Sequence, residues 1–100
     1  MVEISFSSWF KRAYKKRIKG NLDLEARFWQ KVEQFALDPF DKSLKAHKLS
    51  EKLKDLWSFS VEFDERVLFY FIDGGKAVFI DIGNHDEVYW KCQWILLKHK

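Results

Sequence analysis

The hydrophobic period of this chain changes once along its length, and that change determines the predicted order of its secondary structure. Apolar residues recur at helical spacing between positions 8 and 37, whereas from Trp57 onward they alternate with polar residues. An Asp-Gly-Gly sequence at 73–75 then predicts a hairpin between two further apolar runs, 66–72 and 77–82. The chain is therefore predicted to be α+β, with a helical hairpin followed by an antiparallel sheet.

The first predicted helix starts at one of two adjacent serines, positions 7 and 8, either of which can cap it. Its apolar face holds Phe10, Ala13, Tyr14 and Ile18. Its other positions carry six cations and no acid: Lys11, Arg12, Lys15, Lys16, Arg17 and Lys19. Both a solvated helix face and a phosphate-binding surface are compatible with this pattern.

A second helix is predicted between Asn21, which can cap it, and the Asp38-Pro39 pair, which ends it. Its apolar stripe is Leu24, Phe28, Val32 and Phe35. Residues 2–5, before the helical pair, give a weak strand signal that suits an edge of the sheet.

The strand that begins at Trp57 alternates strictly. Its apolar positions, Trp57, Phe59, Val61 and Phe63, are expected to pack on the helices. The intervening Ser58, Ser60 and Glu62 are then expected on an open face, with Arg66 of the next strand beside them. A polar sheet face next to the lysine-rich connection at 40–56 would suit a polyanion.

Charge is divided unevenly along the chain. Residues 1–54 carry 13 basic and 7 acidic side chains, a net of +6, whereas residues 55–100 carry 5 and 8, a net of −3. This asymmetry indicates an anionic partner for the first part of the chain.

Composition excludes several other classes of protein. The single cysteine, Cys92, cannot form an internal disulfide, and the three histidines have no ligand spacing, so no metal or other cofactor is predicted. No signal peptide or membrane span is predicted, which favours a cytoplasmic protein. One hundred residues correspond to a single domain, 1–100.

Two histidines are candidates for proton transfer. His47 lies among lysines, where an imidazole would suit chemistry beside a phosphodiester, although this pattern by itself favours an ordinary surface histidine in a lysine-rich loop. His85 follows the third strand, next to Asp86 and Glu87, which could orient it. The alternative is that Asn84 or Asp86 caps a turn and His85 is merely exposed.

Three segments resemble motifs of the RelE/ParE toxin superfamily, in particular its YafQ-like, RelE/StbE-type branch. Residues 47–61 (HKLSEKLKDLWSFSV) resemble that branch's HKL-x-GKL-x-x-LW-x-x-x-V stretch. Residues 64–69 (DERVLF) resemble its D-x-R-I-V-F, and residues 81–89 (DIGNHDEVY) its DIGTHDEVY. Residues 38–41 also fit the family's turn after the helical hairpin.

The resemblance implies an N-terminal strand, a helical hairpin and a curved antiparallel sheet. It also implies a cytoplasmic toxin of a type II toxin–antitoxin system, held in a hetero-oligomer by a cognate antitoxin. The implied activity is a metal-independent, ribosome-dependent cleavage of mRNA in which the RNA's own 2′-hydroxyl is the nucleophile.

The resemblance also implies roles for individual residues. The catalytic positions would be His47, His85, Arg66 and Tyr89. The RNA-binding positions would be Lys48, Lys52 and Lys54, to which the charge pattern of the first helix adds Lys11 and Lys15. Ser60 stands where many relatives carry a second strand arginine, and Asn84 replaces a threonine.

Two other functions remain open at this point. A ParE-like inhibitor of DNA gyrase would share the fold without the ribonuclease residues. A degenerate toxin that only binds its antitoxin would agree with Ser60 and Asn84. Residues 90–100 form a C-terminal extension that could pack on the sheet or on an antitoxin.

Overall fold

The computed structural model describes residues 1–49, 56–62, 64–84 and 86–88. Its elements are β1 (Glu3–Phe6), α1 (Ser8–Arg17), α2 (Leu22–Leu37), a 3₁₀ turn (Lys42–Leu44), β2 (His47–Lys48), β3 (Leu56–Glu62), β4 (Glu65–Ile72) and β5 (Lys76–Gly83). The predicted α+β order is confirmed. The predictions for Lys52, Lys54, Phe63, His85, Tyr89 and the tail 90–100 lie outside the described residues.

Side-chain caps set the start of both helices, as the sequence predicts. The Ser7 hydroxyl accepts from the Phe10 amide at 3.0 Å, so the first of the two serines is the N-cap of α1. The Asn21 side chain accepts from the Leu24 amide at 3.2 Å and caps α2. Each cap satisfies an amide that has no partner inside its helix.

The five strands form one mixed sheet in the order β1-β5-β4-β3-β2. β1 pairs in parallel with β5, and the other neighbours are antiparallel. Both glycines of the predicted hairpin, Gly74 and Gly75, have positive φ angles of 89° and 77°. A side chain at either position would strain that turn.

An aromatic cluster holds the helical hairpin on one face of the sheet. The ring of Phe35 in α2 has its centroid 5.1 Å from that of Phe59, 4.9 Å from that of Phe69 and 5.3 Å from that of Phe79. These three partners belong to β3, β4 and β5, and all four rings are fully buried. One helical residue therefore contacts three adjacent strands.

The opposite face of the sheet is not fully open. The expectation that Ser58 lines an open face is wrong, because only 1% of the residue is exposed. A second cluster of Leu56, Leu68 and Val88 packs on this face. Ser60 and Glu62 remain partly exposed, so the polar surface starts beyond Ser58. None of the helices described is long and apolar enough to cross a membrane.

We expect Phe35→Ala to lower the free energy of unfolding by about 3–5 kcal/mol, because it leaves a cavity against three strands. Phe40→Ala is the matched control, since Phe40 is 57% exposed and its ring contacts Trp57 and Phe71, which are only partly buried. It should cost about 1 kcal/mol or less. Urea unfolding of both variants measures the difference, and equal losses would contradict this description of the core.

Candidate functional site

Arg66 lies in β4 on the face of the sheet away from the helices, since its neighbour Val67 belongs to the main core. Its Nε donates to the Ser58 hydroxyl at 2.9 Å. Its Nη2 donates to the Lys45 carbonyl at 3.0 Å and to the Ser58 carbonyl at 3.3 Å. All three acceptors are neutral, so these bonds orient the guanidinium without compensating its charge.

Burial lowers the pKa of the Arg66 guanidinium from its usual value. Arginine titrates so far above neutrality that the side chain nevertheless stays protonated. Within the described part of the chain, no carboxylate forms an ion pair with Arg66. The geometry thus presents an oriented, half-buried cation on the polar side of the sheet.

His47 lies beside the same serine. Strand β2 pairs with β3 so that His47 is directly opposite Ser58. Residues in such a pair point to the same face with Cβ atoms about 4.5–5.5 Å apart. Ser58 therefore lies between the exposed His47 in β2 and Arg66 in β4, so the structure brings two predicted site residues to the same serine.

The Lys45 carbonyl reaches Arg66 because the backbone turns sharply at this residue. Lys45 follows the 3₁₀ turn with φ 49° and ψ 48°, the left-handed conformation. Asp41 caps that turn by accepting from the Ser43 hydroxyl at 2.7 Å and from its amide at 2.9 Å. These hydrogen bonds hold the pKa of the Asp41 carboxyl below its usual value.

Glu87 is one of the two acids that could orient His85, and in the structure it pairs with Arg17 of α1. The guanidinium of Arg17 donates to both carboxylate oxygens of Glu65, at 2.7 and 3.2 Å, and to Glu87 at 3.0 Å. The hydrogen bonds that Arg17 donates to Glu65 are the main reason that the pKa of Arg17 is raised. Arg17 therefore ties α1 to the start of β4 and to the turn after β5.

The turn after β5 is closed by reciprocal capping. The Asn84 side chain accepts from the Glu87 amide at 2.8 Å, and the Glu87 carboxylate accepts from the Asn84 amide at 3.5 Å. A Cβ at Gly83 would lie 3.3 Å from the Glu87 Cβ, so glycine permits this close approach. The capping role considered for Asn84 is confirmed.

The predicted RNA-binding lysines of α1 lie elsewhere. Lys11 and Lys15 border a cavity of about 450 Å³ whose floor is aromatic. The rings in its lining are those of Phe6, Phe10, Tyr14 and Trp29. This cavity lies on the helical side near the edge strand β1, whereas Arg66 and His47 lie on the other face near β2. The structure does not bring these two sets together.

Metal-ligating side chains do not cluster in residues 1–49, 56–62, 64–84 and 86–88, where no group of three or more His, Cys, Asp or Glu could hold an ion.

No protein-family model matches this sequence, and no curated protein matches it either. Solved structures do match the fold. A metal-bound toxin from Helicobacter pylori superposes with a TM-score of 0.70 at 24% identity, over 87% of this chain and 98% of that one. The chain has the fold of a RelE/YoeB-type toxin.

Two further toxins of this fold were solved as complexes. A chain of the E. coli DinJ–YafQ complex has a TM-score of 0.62 at 20% identity and covers 89% of this chain and 99% of its own length. A chain of the archaeal RelE–RelB complex from Pyrococcus horikoshii has a TM-score of 0.67 at 14% identity, with coverages of 83% and 93%. These likenesses confirm the fold that the motifs implied.

Within this toxin fold, sequence reasoning missed two parts of the Arg66 site. Ser58 was placed on the open face but not recognised as the acceptor that orients Arg66. The Lys45 carbonyl was missed because a backbone acceptor leaves no trace in the residue type. The pairing of a buried serine with a histidine on the neighbouring strand would have identified the site. Recognising that pair requires the register of β2, and a strand of two residues is too short for its register to be predicted from sequence.

We expect Arg17→Ala to destabilise the toxin fold by about 2 kcal/mol, because it removes charge-assisted bonds to two partly buried glutamates. Arg27→Ala is the control, since the Arg27–Glu62 pair joins α2 to β3 in the same way but Arg27 is 58% exposed. It should cost less than about 1 kcal/mol. The comparison is made by urea unfolding at low and high salt, and an Arg17 effect that vanishes in salt would contradict the role given to this residue.

Proposed function

We propose that this protein is the toxin of a type II toxin–antitoxin system and cleaves mRNA on the ribosome. The observation that carries the proposal is Arg66, a cation oriented by neutral acceptors and left without a carboxylate partner among the described residues. Such a cation suits the phosphate of a nucleic acid, and in particular the extra charge of a pentacoordinate phosphorane. The shared fold with RelE, YoeB and YafQ structures supports the same class.

The proposed reaction is a transphosphorylation. A general base takes the proton of the RNA 2′-hydroxyl, and the 2′-oxygen attacks the adjacent phosphorus. The bond to the 5′-oxygen breaks, and a general acid protonates that leaving group. The products are a 2′,3′-cyclic phosphate and a 5′-hydroxyl, and no metal takes part.

His47 and His85 are the proposed acid–base pair, with their order undetermined. His47 has the better structural support because it lies opposite Ser58, next to the guanidinium that would hold the phosphate. His85 and Tyr89 rest on the motif at 81–89 alone, where Tyr89 would stack on or orient a base. Lys48, Lys52 and Lys54 would contact the flanking RNA backbone.

The proposed partners are those expected of a toxin in a type II toxin–antitoxin system. A cognate antitoxin is supported by the DinJ–YafQ and RelE–RelB complexes, each of which contains a second protein. An acidic antitoxin would complement the net charge of +6 in residues 1–54. Lys11 and Lys15, on the other side of the sheet, would then contact ribosomal RNA or the antitoxin rather than the cleaved phosphate. The proposed compartment is the cytoplasm, where ribosomes are available.

We expect Arg66→Ala to slow cleavage of mRNA on purified translating ribosomes by about 10²–10³-fold, the loss that follows removal of one transition-state donor. Arg66→Lys should recover little, because lysine cannot reproduce the fork that Ser58 and Lys45 hold. Arg12→Ala, an exposed arginine of α1, is the control and should retain most of the activity. Primer extension on the mRNA measures the rates.

His47→Gln and His85→Ala should each reduce cleavage strongly, and growth arrest on induction should weaken in parallel. Undiminished cleavage by both variants would refute the acid–base assignment.

A supercoiling assay run beside primer extension distinguishes the alternative function. Inhibition of gyrase with intact mRNA would refute the ribonuclease proposal and favour a ParE-like function. Harmless overexpression of the unmodified protein would favour a degenerate toxin.

A further inference from the structure

A polar groove with a volume of about 700 Å³ opens along the outer edge of β3. We call it the cation groove, and its polar lining includes Arg27, Gln30, Lys31, Lys45, Ser60 and Glu62. The groove exists because the described pairing of β2 with β3 covers only Trp57 and Ser58. Beyond Ser58 the strand edge faces α2 and the 3₁₀ turn, so side chains line a space that another strand would otherwise fill.

The groove carries an excess of positive charge. Arg27 is paired with Glu62 at 2.6 Å, which leaves Lys31 and Lys45 as the remaining cations of the lining. Lys31 donates to the Ser43 carbonyl at 3.1 Å, a neutral acceptor. Asp41 lies close enough to Lys31 for the lysine to contribute to the lowered pKa of that carboxyl, so it offsets one of the two charges in part.

Both oxygens of the Asp41 carboxylate already accept hydrogen bonds, which makes this carboxylate less available as an ion-pair partner for a lysine. Its Oδ1 accepts from Ser43, and its Oδ2 accepts from the Gln34 amide at 2.9 Å. Both oxygens thus stabilise the turn next to α2. Lys31 and Lys45 keep ammonium donors available along the groove.

The cation groove is continuous with the Arg66 site. Ser60, which lines the groove, is directly opposite Arg66 in the β3–β4 register. Lys45 belongs to both, because its carbonyl accepts from Arg66 and the residue lines the groove. An extended polyanion that contacts Arg66 and continues along the groove therefore passes Lys45 and Lys31.

We propose that the cation groove binds the phosphodiester backbone of single-stranded RNA immediately beside the phosphate held by Arg66. This inference rests on the proposed ribonuclease function and specifies the path of its substrate. The volume lies within the range of about 300–1,000 Å³ that is usual for ligand clefts. No aromatic side chain lines the described part of the groove, so it would hold the backbone without selecting bases.

The test uses a short, fluorescein-labelled RNA whose 2′-hydroxyls are all methylated, so that it binds but cannot be cleaved. Its dissociation constant is measured by anisotropy over a series of salt concentrations, with the ribosome absent. The groove variant is Lys31→Gln combined with Lys45→Asn, since asparagine tolerates the left-handed backbone at 45. The matched control removes two exposed charges outside the groove, as Arg12→Gln with Lys76→Gln.

The slope of log K against log salt should fall in magnitude by about 0.7 for each lost phosphate contact, and so by about 1.4 in the groove variant. The control variant should keep the slope of the unmodified protein. A third variant, Gln30→Lys, adds a cation to an exposed helical position of the groove and should steepen the slope by about 0.7. Thermal unfolding of all variants verifies that they are folded.

Equal slopes for the groove and control variants, a loss confined to the control variant, or no binding by the unmodified protein would each overturn the inference. Failure of the ribonuclease proposal has a different signature. In that case the groove variant still shows its reduced slope, while the unmodified protein leaves mRNA on ribosomes intact.

Discussion

The contact of Phe35 with three strands at once is the interaction on which both faces of the sheet depend. It holds α2 against β3, β4 and β5, and it commits one set of alternating side chains to the core. The other set, which includes Ser58 and Arg66, must then lie on the opposite face. The polar site is a consequence of where the aromatic residues pack, because a slip of one residue in β4 would exchange Arg66 for Val67.

Arg17 and Arg66 serve different purposes, and their hydrogen-bond partners distinguish them. Arg17 donates to Glu65 and Glu87, so its charge is used inside the fold to join α1 to the sheet. Arg66 is one residue from Glu65 in sequence, yet its acceptors are a hydroxyl and two carbonyls. The first arrangement stabilises the protein, whereas the second keeps a positive charge available for an anion.

Local patterns predicted most of the fold. The capping residues Ser7 and Asn21, the apolar stripe of α2 and the Asp-Gly-Gly hairpin each act over a few residues, so the sequence displays them directly. Contacts between distant positions were not predictable in the same way. The Arg17–Glu87 pair spans 70 residues, and nothing in either local sequence selects it over the many other possible pairs.

The same difference between local patterns and long-range contacts applies to the candidate site. His47 and Arg66 were identified as residues, but their common neighbour Ser58 depends on the pairing of β2, which is only two residues long. The cation groove was not foreseen, because it results from how far β2 extends and not from any motif. Glu87 was considered only as a group that could orient His85, whereas in the tertiary structure it pairs with Arg17.

The central claim is that Arg66 and the histidines catalyse attack by the RNA's own 2′-oxygen. The chemistry of the cut ends tests it most directly, with the purified protein and translating ribosomes in one reaction. The expected fragments end in a 2′,3′-cyclic phosphate and begin with a 5′-hydroxyl, because the 2′-oxygen displaces the 5′-oxygen. Fragments that end in a 3′-hydroxyl and begin with a 5′-phosphate would contradict this mechanism.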